Sequence, residues 1–465
     1  MMGVMSRPTR ARSCRTPRGA ARVVAALGAV LLTASAPATA APTAPRTNDP
    51  VQAAGLQWAL ERVGAEAAWG RSQGTGVRIA VVDSGVDLGH PDLDAKVVGH
   101  VSCIGASGDP RRCSGPGQDD NGHGTHVAGI AAAETGNAEG IAGVAPDAEL
   151  LAVRVLANEC DATGCTASGT AGDVAAGIYW AVEHGADVIN LSLGGGAVQS
   201  ALGCGFCEAI EYAWSQGVIA VVAAGNDSIL PAGFGDTPAV VVTATTRDDQ
   251  RASYSNRNDS ILTEARWPVA APGGEAEADP NDCSTQGEPA GILSTYLRSL
   301  GEGYACLAGT SMAAPHVAGG LALLRQAGLG PQQAIERLLG TAVDLGPSGR
   351  DATFGFGRID LARALDRLSA TSVGGPGLAP STATTAPPGA SAPSTTGAAP
   401  APPTTAPPVT TPDTTLAAPF APTPGPGDDA DPGPVPGWLT AAAIAAAAAA
   451  ALGTSATAWH LSRRT

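Results

Sequence analysis

The sequence predicts an α/β fold, a doubly wound and mostly parallel sheet flanked by helices, and three observations carry that prediction. The run Val77-Arg78-Ile79-Ala80-Val81-Val82 ends at Asp83 and lacks polar alternation, as expected of a strand buried on both faces. From there, strand-like and helix-like stretches follow each other in strict turn, the pattern of repeated βαβ units. Polar residues that a core does not need, Asp83, Ser192 and Asn226, stand at or just beyond the ends of three strands. Ligands of open α/β sheets bind outside the carboxyl ends of strands.

The elements follow in order. After the first strand, the small apolar residues from His126 to Ala133 read as a helix, and Leu150-Leu151-Ala152-Val153-Arg154-Val155 as the next strand. Ala171 to Glu183 keeps helical spacing, and Asp187-Val188-Ile189-Asn190-Leu191-Ser192 is again a strand. Cys207 to Gln216 reads as helix, followed by strands at Val218 to Ala223 and Val240 to Ala244. A helix of small residues opens around Ser311.

Composition narrows the function. Lys and Arg number 27 against 42 Asp and Glu, a net charge of −15 over 465 residues. Arg7, Arg10, Arg12, Arg15, Arg18 and Arg22 lie in the first forty residues, which hold no acid, so the remainder is more acidic still. Such a surface repels polyphosphate, which argues against a nucleic-acid partner. The Arg-rich start, the apolar stretch Val23 to Leu32 and Ala38-Thr39-Ala40 form a signal-peptide pattern, so residues 1–40 are expected to be removed after Ala40. No Arg-Arg pair precedes the apolar stretch, which favours the general secretory route. Without Cys14, eight cysteines remain, an even count that suits disulfides outside the cell. Connectivity is not readable from sequence; pairing of sequence neighbours (103–113, 160–165, 204–207, 283–306) is the expectation.

The globular part is expected to span 41–368. Residues 369–436 are Pro, Thr, Ser, Ala and Gly with few large apolar side chains, and read as a disordered stalk. Residues 437–461, Ala-rich and bounded by Trp438 and Trp459 with Arg463-Arg464 beyond, read as one transmembrane helix followed by a cytoplasmic tail, 462–465. The chain is thus expected to be a single-pass cell-membrane protein with its globular part outside, unless that part is shed.

Three motifs carry chemistry. Asp83-Ser84-Gly85 closes the first strand; Asn121-Gly122-His123-Gly124-Thr125-His126-Val127-Ala128-Gly129 follows; Gly309-Thr310-Ser311-Met312-Ala313-Ala314-Pro315-His316 opens a small-residue helix. His123 and His126 alone do not make a zinc site, for which a third ligand and a nearby Glu base are lacking. Glycine before Ser311 and alanine after it allow a substrate backbone to approach, and a helix start favours developing negative charge.

Asp, His and Ser in this order resemble the subtilisin-like serine proteases, and their thermitase branch above all. The resemblance runs from about Asn48 to Leu368 and includes Gly140-Ile141-Ala142-Gly143-Val144-Ala145-Pro146 and Ala223-Ala224-Gly225-Asn226. It implies that Ser311 is the nucleophile, His123 its base, Asp83 the orienting carboxylate, and Asn226 with the Ser311 N–H the oxyanion donors. Substrate, a protein or peptide, would lie extended along Ser192-Leu193-Gly194, with Gly225 in the wall of the specificity pocket. The resemblance further implies one structural Ca²⁺ bound by Asp49, Asp92, Asn137 and Glu139, with backbone oxygens of Glu134 and Ile141. No second calcium is expected, because the Cys103 to Cys113 loop takes the place of that site. About forty residues between Ala40 and Asp83 are too few for a separate inhibitory prodomain. The stalk-and-span layout is similar to the mycosins, so a protease and scaffold component of a type VII secretion complex is the second reading.

Overall fold

The computed structural model describes residues 47–366 apart from 162–163, 194–203, 229–233, 259–263, 276–289 and 302, together with Leu368 and the strand residues 415–417. The expected signal segment, the expected membrane span at 437–461, Gly194 and Cys283 lie outside the described residues. Among the described residues no helix is long and apolar enough to cross a membrane.

Three short helices, α1 (Pro50–Ala53), α2 (Trp58–Arg62) and α3 (Ala65–Trp69), lead into β1 (Arg78–Asp83). This strand is the centre of the fold. It pairs in parallel with β3 (Glu149–Arg154) on one side and β6 (Val188–Leu191) on the other. Outward lie β2 (Val97–Ser102), beside β3, and then β7 (Ile219–Ala223), β8 (Ala239–Thr245) and β9 (Trp267–Pro272), giving the order β2-β3-β1-β6-β7-β8-β9. The chain winds away from β1 in both directions, so the end of β1 is the switch point at which an open α/β sheet leaves a crevice.

Strand alternation divides the core into two layers. Ile79 and Val81 pack with α4 (His123–Ala132) and α7 (Thr310–Gln326), whereas Ala80 and Val82 pack with α5 (Ala171–Glu183) and α6 (Cys207–Ser215). Two antiparallel hairpins stand outside the sheet: β4 (Ala157–Asp161) with β5 (Gly164–Thr170), and β10 (Ile292–Thr295) with β11 (Tyr304–Leu307). Helices α8 (Pro331–Gly340) and α9 (Leu361–Leu365) complete the domain.

The structure departs from the sequence reading in three places. Helix α4 begins at His123 rather than His126, because Gly122 serves as its cap at φ 104°. Strands β2 and β9 escape the pattern: β2 is half-exposed and contains Gly99 and His100, and β9 contains Pro268 and Pro272. Those prolines are tolerated because β9 is an edge strand. Within the segment read as a disordered stalk, Thr415–Ala417 form β12, antiparallel to β5.

Disulfides join Cys103 to Cys113, Cys160 to Cys165 and Cys204 to Cys207, as neighbour pairing anticipates. Cys306 is also disulfide-bonded.

Candidate active site

Asp83 is the last residue of β1 and has no exposed surface; His123 is the first residue of α4 and is 2% exposed. Their Oδ1 and Nδ1 atoms are 2.7 Å apart. The contact depends on how closely α4 approaches β1. A Cβ on Gly124 would lie 2.1 Å from the Gly85 carbonyl oxygen and 3.1 Å from Asp83 Cβ, so any larger residue would push the helix away. Burial disfavours the imidazolium of His123, yet the Asp83 charge and hydrogen bond, with Asp119 behind them, hold its pKa above the ordinary value.

Asp119 is a supporting residue that sequence reasoning missed. Its Oδ1 accepts from the backbone N–H groups of Asn121 (2.9 Å) and Gly122 (3.0 Å), and its Oδ2 from Thr125 N (3.0 Å) and the Thr125 hydroxyl (2.6 Å). The loop that delivers His123 is thereby fixed. Burial pushes the Asp119 carboxyl up, against the pull of those hydrogen bonds.

Ser311 is the second residue of α7 and is buried. Its hydroxyl donates to the Ser192 carbonyl at 3.2 Å, and the Ser192 hydroxyl donates to the Ser311 carbonyl at 2.7 Å. Ser192 follows β6, the neighbour of β1, and is itself held by Asn190 Nδ2 at 2.9 Å. Leu193 is buried beside it.

Asn226 follows β7 and is half-buried. Its Oδ1 accepts from Thr310 N (3.0 Å) and from the Thr310 hydroxyl (2.9 Å), which fixes the rotamer and turns Nδ2 outward. A Cβ built on Gly309 would lie 3.2 Å from Asn226 Nδ2 and 3.6 Å from Ser311 N. Two N–H donors thus flank one small space, kept open because residue 309 has no side chain. The Thr310 hydroxyl oxygen also accepts from Gly225 N, at 3.1 Å. Asn256, buried, binds the Ala224 carbonyl (3.0 Å) and Asp227 N (2.9 Å), and its backbone N–H reaches the Gly225 carbonyl at 2.9 Å. Neither Thr310 nor Asn256 stands out in sequence, because each residue type is common in turns and caps.

His126 and His316 are structural. His126 Nε2 lies 3.0 Å from the Ile292 carbonyl, and His316 Nδ1 lies 2.8 Å from the Met312 carbonyl. Burial depresses their pKa values to about 3 and about 4.

The expected metal ligands converge on one loop. The Asp49 carboxylate accepts from Gly136 N (2.8 Å) and Asn137 N (3.2 Å). Asp92 accepts from Asn137 Nδ2 (2.9 Å) on Oδ1, and from Ile141 N (3.0 Å) and the Tyr304 hydroxyl (3.0 Å) on Oδ2. Both carboxylates are fully buried. Glu134 donates its backbone N–H to the Asp92 carbonyl at 2.8 Å, and Glu139 is exposed, with its N–H on Asn137 Oδ1 at 2.8 Å. Among the described residues no group of three or more His, Cys, Asp or Glu side chains forms a metal cage.

Residues 74–357 match the subtilase family. The chain is similar to thermitase of Thermoactinomyces vulgaris, at 38% identity over 68% of this chain and 98% of that protein. It is similar also to a thermophilic serine proteinase of Bacillus sp. (strain AK1), at 39% identity over 67% of each. Among solved structures, a protease of Pseudoalteromonas arctica PAMC 21717 superposes with a TM-score of 0.54 at 32% identity, covering 70% of this chain and all of that one. The chain belongs to the subtilase family of subtilisin-like serine proteases.

Proposed function

We propose that this protein hydrolyses peptide bonds outside the cell with Ser311 as nucleophile, His123 as general base and Asp83 as the carboxylate that orients it. The reading rests on one observation above the rest: a buried carboxylate and imidazole 2.7 Å apart at the switch point of the sheet. A serine hydroxyl needs a base as it attacks. In the reacting complex the Ser311 hydroxyl leaves the Ser192 carbonyl and gives its proton to His123 as Oγ bonds to the scissile carbon. Asp83 keeps one imidazole tautomer in place and stabilises the charged ring. The oxyanion enters the space beside Gly309, where Asn226 Nδ2 and the Ser311 N–H receive it. Collapse expels the amine, which takes the proton from His123, and leaves an acyl-enzyme on Ser311. Water then enters and loses a proton to His123 as its oxygen bonds to the acyl carbon; the bond to Ser311 Oγ breaks, Oγ takes the proton back from His123, and the acid leaves.

Substrate is proposed to lie extended along Ser192, Leu193 and Gly194, adding a strand through backbone hydrogen bonds, with a side chain directed at the Gly225 wall. Labelling with a fluorophosphonate probe tests the assignment: the parent chain reacts, Ser311→Ala does not, and equal labelling of both would overturn it.

A structural Ca²⁺ fits the loop at 134–141. Two fully buried carboxylates, Asp49 and Asp92, face it with only N–H and O–H partners. Carboxylate, amide and carbonyl oxygens of Asp49, Asp92, Asn137, Glu139, Glu134 and Ile141 are the donor types a hard cation takes. Bound there, the ion would offset the buried charge and pin the N-terminal segment to the loop. Export and tethering by the C-terminal segment complete the proposal. The disulfides at 103–113, 160–165 and 204–207, with a further one at Cys306, support export, since such bonds persist in oxidising surroundings.

A further inference from the structure

The β4–β5 hairpin is built into the candidate active site. Val155 and Leu156, which lead into β4, donate their N–H groups to the Asp83 carbonyl at 2.8 and 3.3 Å. Asn158 on β4 accepts from Asn121 Nδ2 at 3.0 Å and donates to the Asp120 carbonyl at 2.8 Å, clasping the loop that delivers His123. Leu156 at the head of the hairpin, Ala167 on β5 and Leu193 beside Ser192 belong to one apolar cluster. One edge of β5 is taken by β4, in antiparallel register from Ala157↔Ser168 to Asp161↔Gly164. The other edge carries the unpaired N–H and C=O groups that invite an added strand.

That edge is occupied by the chain itself. Thr415, Leu416 and Ala417 pair antiparallel with Thr170, Gly169 and Ser168. The sequence shows why this piece of the Pro-rich stretch is suited to the role. Proline cannot donate to a ladder. Pro412 and Pro419 bracket a six-residue Pro-free run, Asp413-Thr414-Thr415-Leu416-Ala417-Ala418. The other two Pro-free runs of that length between 381 and 436, Ser381 to Ala386 and Ser394 to Ala399, contain no large apolar residue. Residues 369–414, at up to about 3.3 Å each, give the segment ample reach.

We propose that the strand at 415–417 is an intramolecular ligand of the β5 edge beside the candidate active site, an autoinhibitory segment that must leave β5 before a polypeptide substrate can bind there. This rests on the proteolytic reading above. The contact is non-covalent, and mass action sets its strength: a tethered segment acts at an effective concentration on the order of a millimolar.

The test uses two full-length Ser311→Ala chains, one intact and one lacking 411–420, and a fluorescent peptide of residues 411–420. For a peptide Kd on the order of 100 µM, the shortened chain should bind it about tenfold more tightly than the intact chain. Equal affinity for both, or binding to neither, overturns the inference. With Ser311 restored, the same deletion should lower the KM for a peptide anilide by a similar factor and leave kcat unchanged; an unchanged KM overturns it too. Absence of turnover and of probe labelling in both chains would refute the proteolytic reading, while the anisotropy result still decides whether the segment docks.

Discussion

Replacing Gly309 by alanine puts one methyl group where the developing oxyanion is proposed to sit. The backbone there is extended, at φ 163°, so alanine introduces no conformational strain. The new Cβ would lie 3.2 Å from Asn226 Nδ2, 3.6 Å from Ser311 N and 3.8 Å from Met312 Sδ. Only the first contact is tight, and it is with the side chain of a half-buried residue. Folding should therefore survive, with a melting temperature within a few degrees of the parent. Turnover should not. Loss of one oxyanion donor costs about 2.7–4 kcal/mol, or 10²–10³ in kcat, and a methyl in this space obstructs two. Gly309→Ala should thus lower kcat on a peptide anilide by at least about 10², with sites counted by burst titration. Asn226→Ala should lose about as much, and the double variant little more than either, because both act on one interaction. A Gly309→Ala enzyme that folds normally and keeps kcat within threefold would refute the placing of the oxyanion between these two donors.

Other expectations follow from the same geometry. Because His123 must be neutral to act as base and its pKa is held up by Asp83, kcat/KM should rise with pH through a midpoint above 6.5. Asp83→Asn leaves burial unopposed, so the midpoint should fall below 6.5 and the rate by about 10⁴-fold; Asp119→Asn should shift the midpoint down less, with a milder loss of rate. Chelation of calcium should lower the melting temperature by on the order of 5 °C, as expected for loss of a ligand at about a hundred times its Kd, and Asp92→Asn should abolish that sensitivity. His126 and His316 refuse protons in the folded state down to about 3 and about 4, whereas the unfolded chain takes them near 6.5. Their share of stability is therefore full above 6.5 and falls as pH drops, by about 1.4 kcal/mol per unit for each; urea midpoints at pH 7, 6 and 5 would show it.

What the sequence reveals and conceals divides along a physical line. The strands β1, β3, β6, β7 and β8 are legible because both faces of each are buried, which leaves an uninterrupted apolar run. Helix α5 is legible over the whole of Ala171–Glu183, because only one face meets the core and helical spacing survives. Strands β2 and β9 lie at the sheet's two edges, where glycine, histidine and proline are permitted and the pattern dissolves. The candidate site divides in the same way. Asp83, His123, Asn226 and Ser311 are visible because a polar residue at the end of an apolar run or within a small-residue helix has no local reason to be there. Thr310, Asn256 and Asp119 are invisible because every one of them has such a reason, as cap, turn former or loop acid.

The concealed residues are nevertheless what give the visible ones their geometry. Thr310 alone gives two hydrogen bonds to Asn226 Oδ1 and accepts one from Gly225 N, so it fixes the Asn226 amide beside Gly309 and ties it to Gly225, the proposed wall of the specificity pocket. The same holds for the hairpin that flanks the crevice: Asn158 is one more loop-forming residue in sequence, yet in space it clasps Asn121 and Asp120 and presents β5 to the segment at 415–417. Local pattern therefore identifies which groups can react. The arrangement proposed to let them react is set by long-range contacts among residues whose types are ordinary.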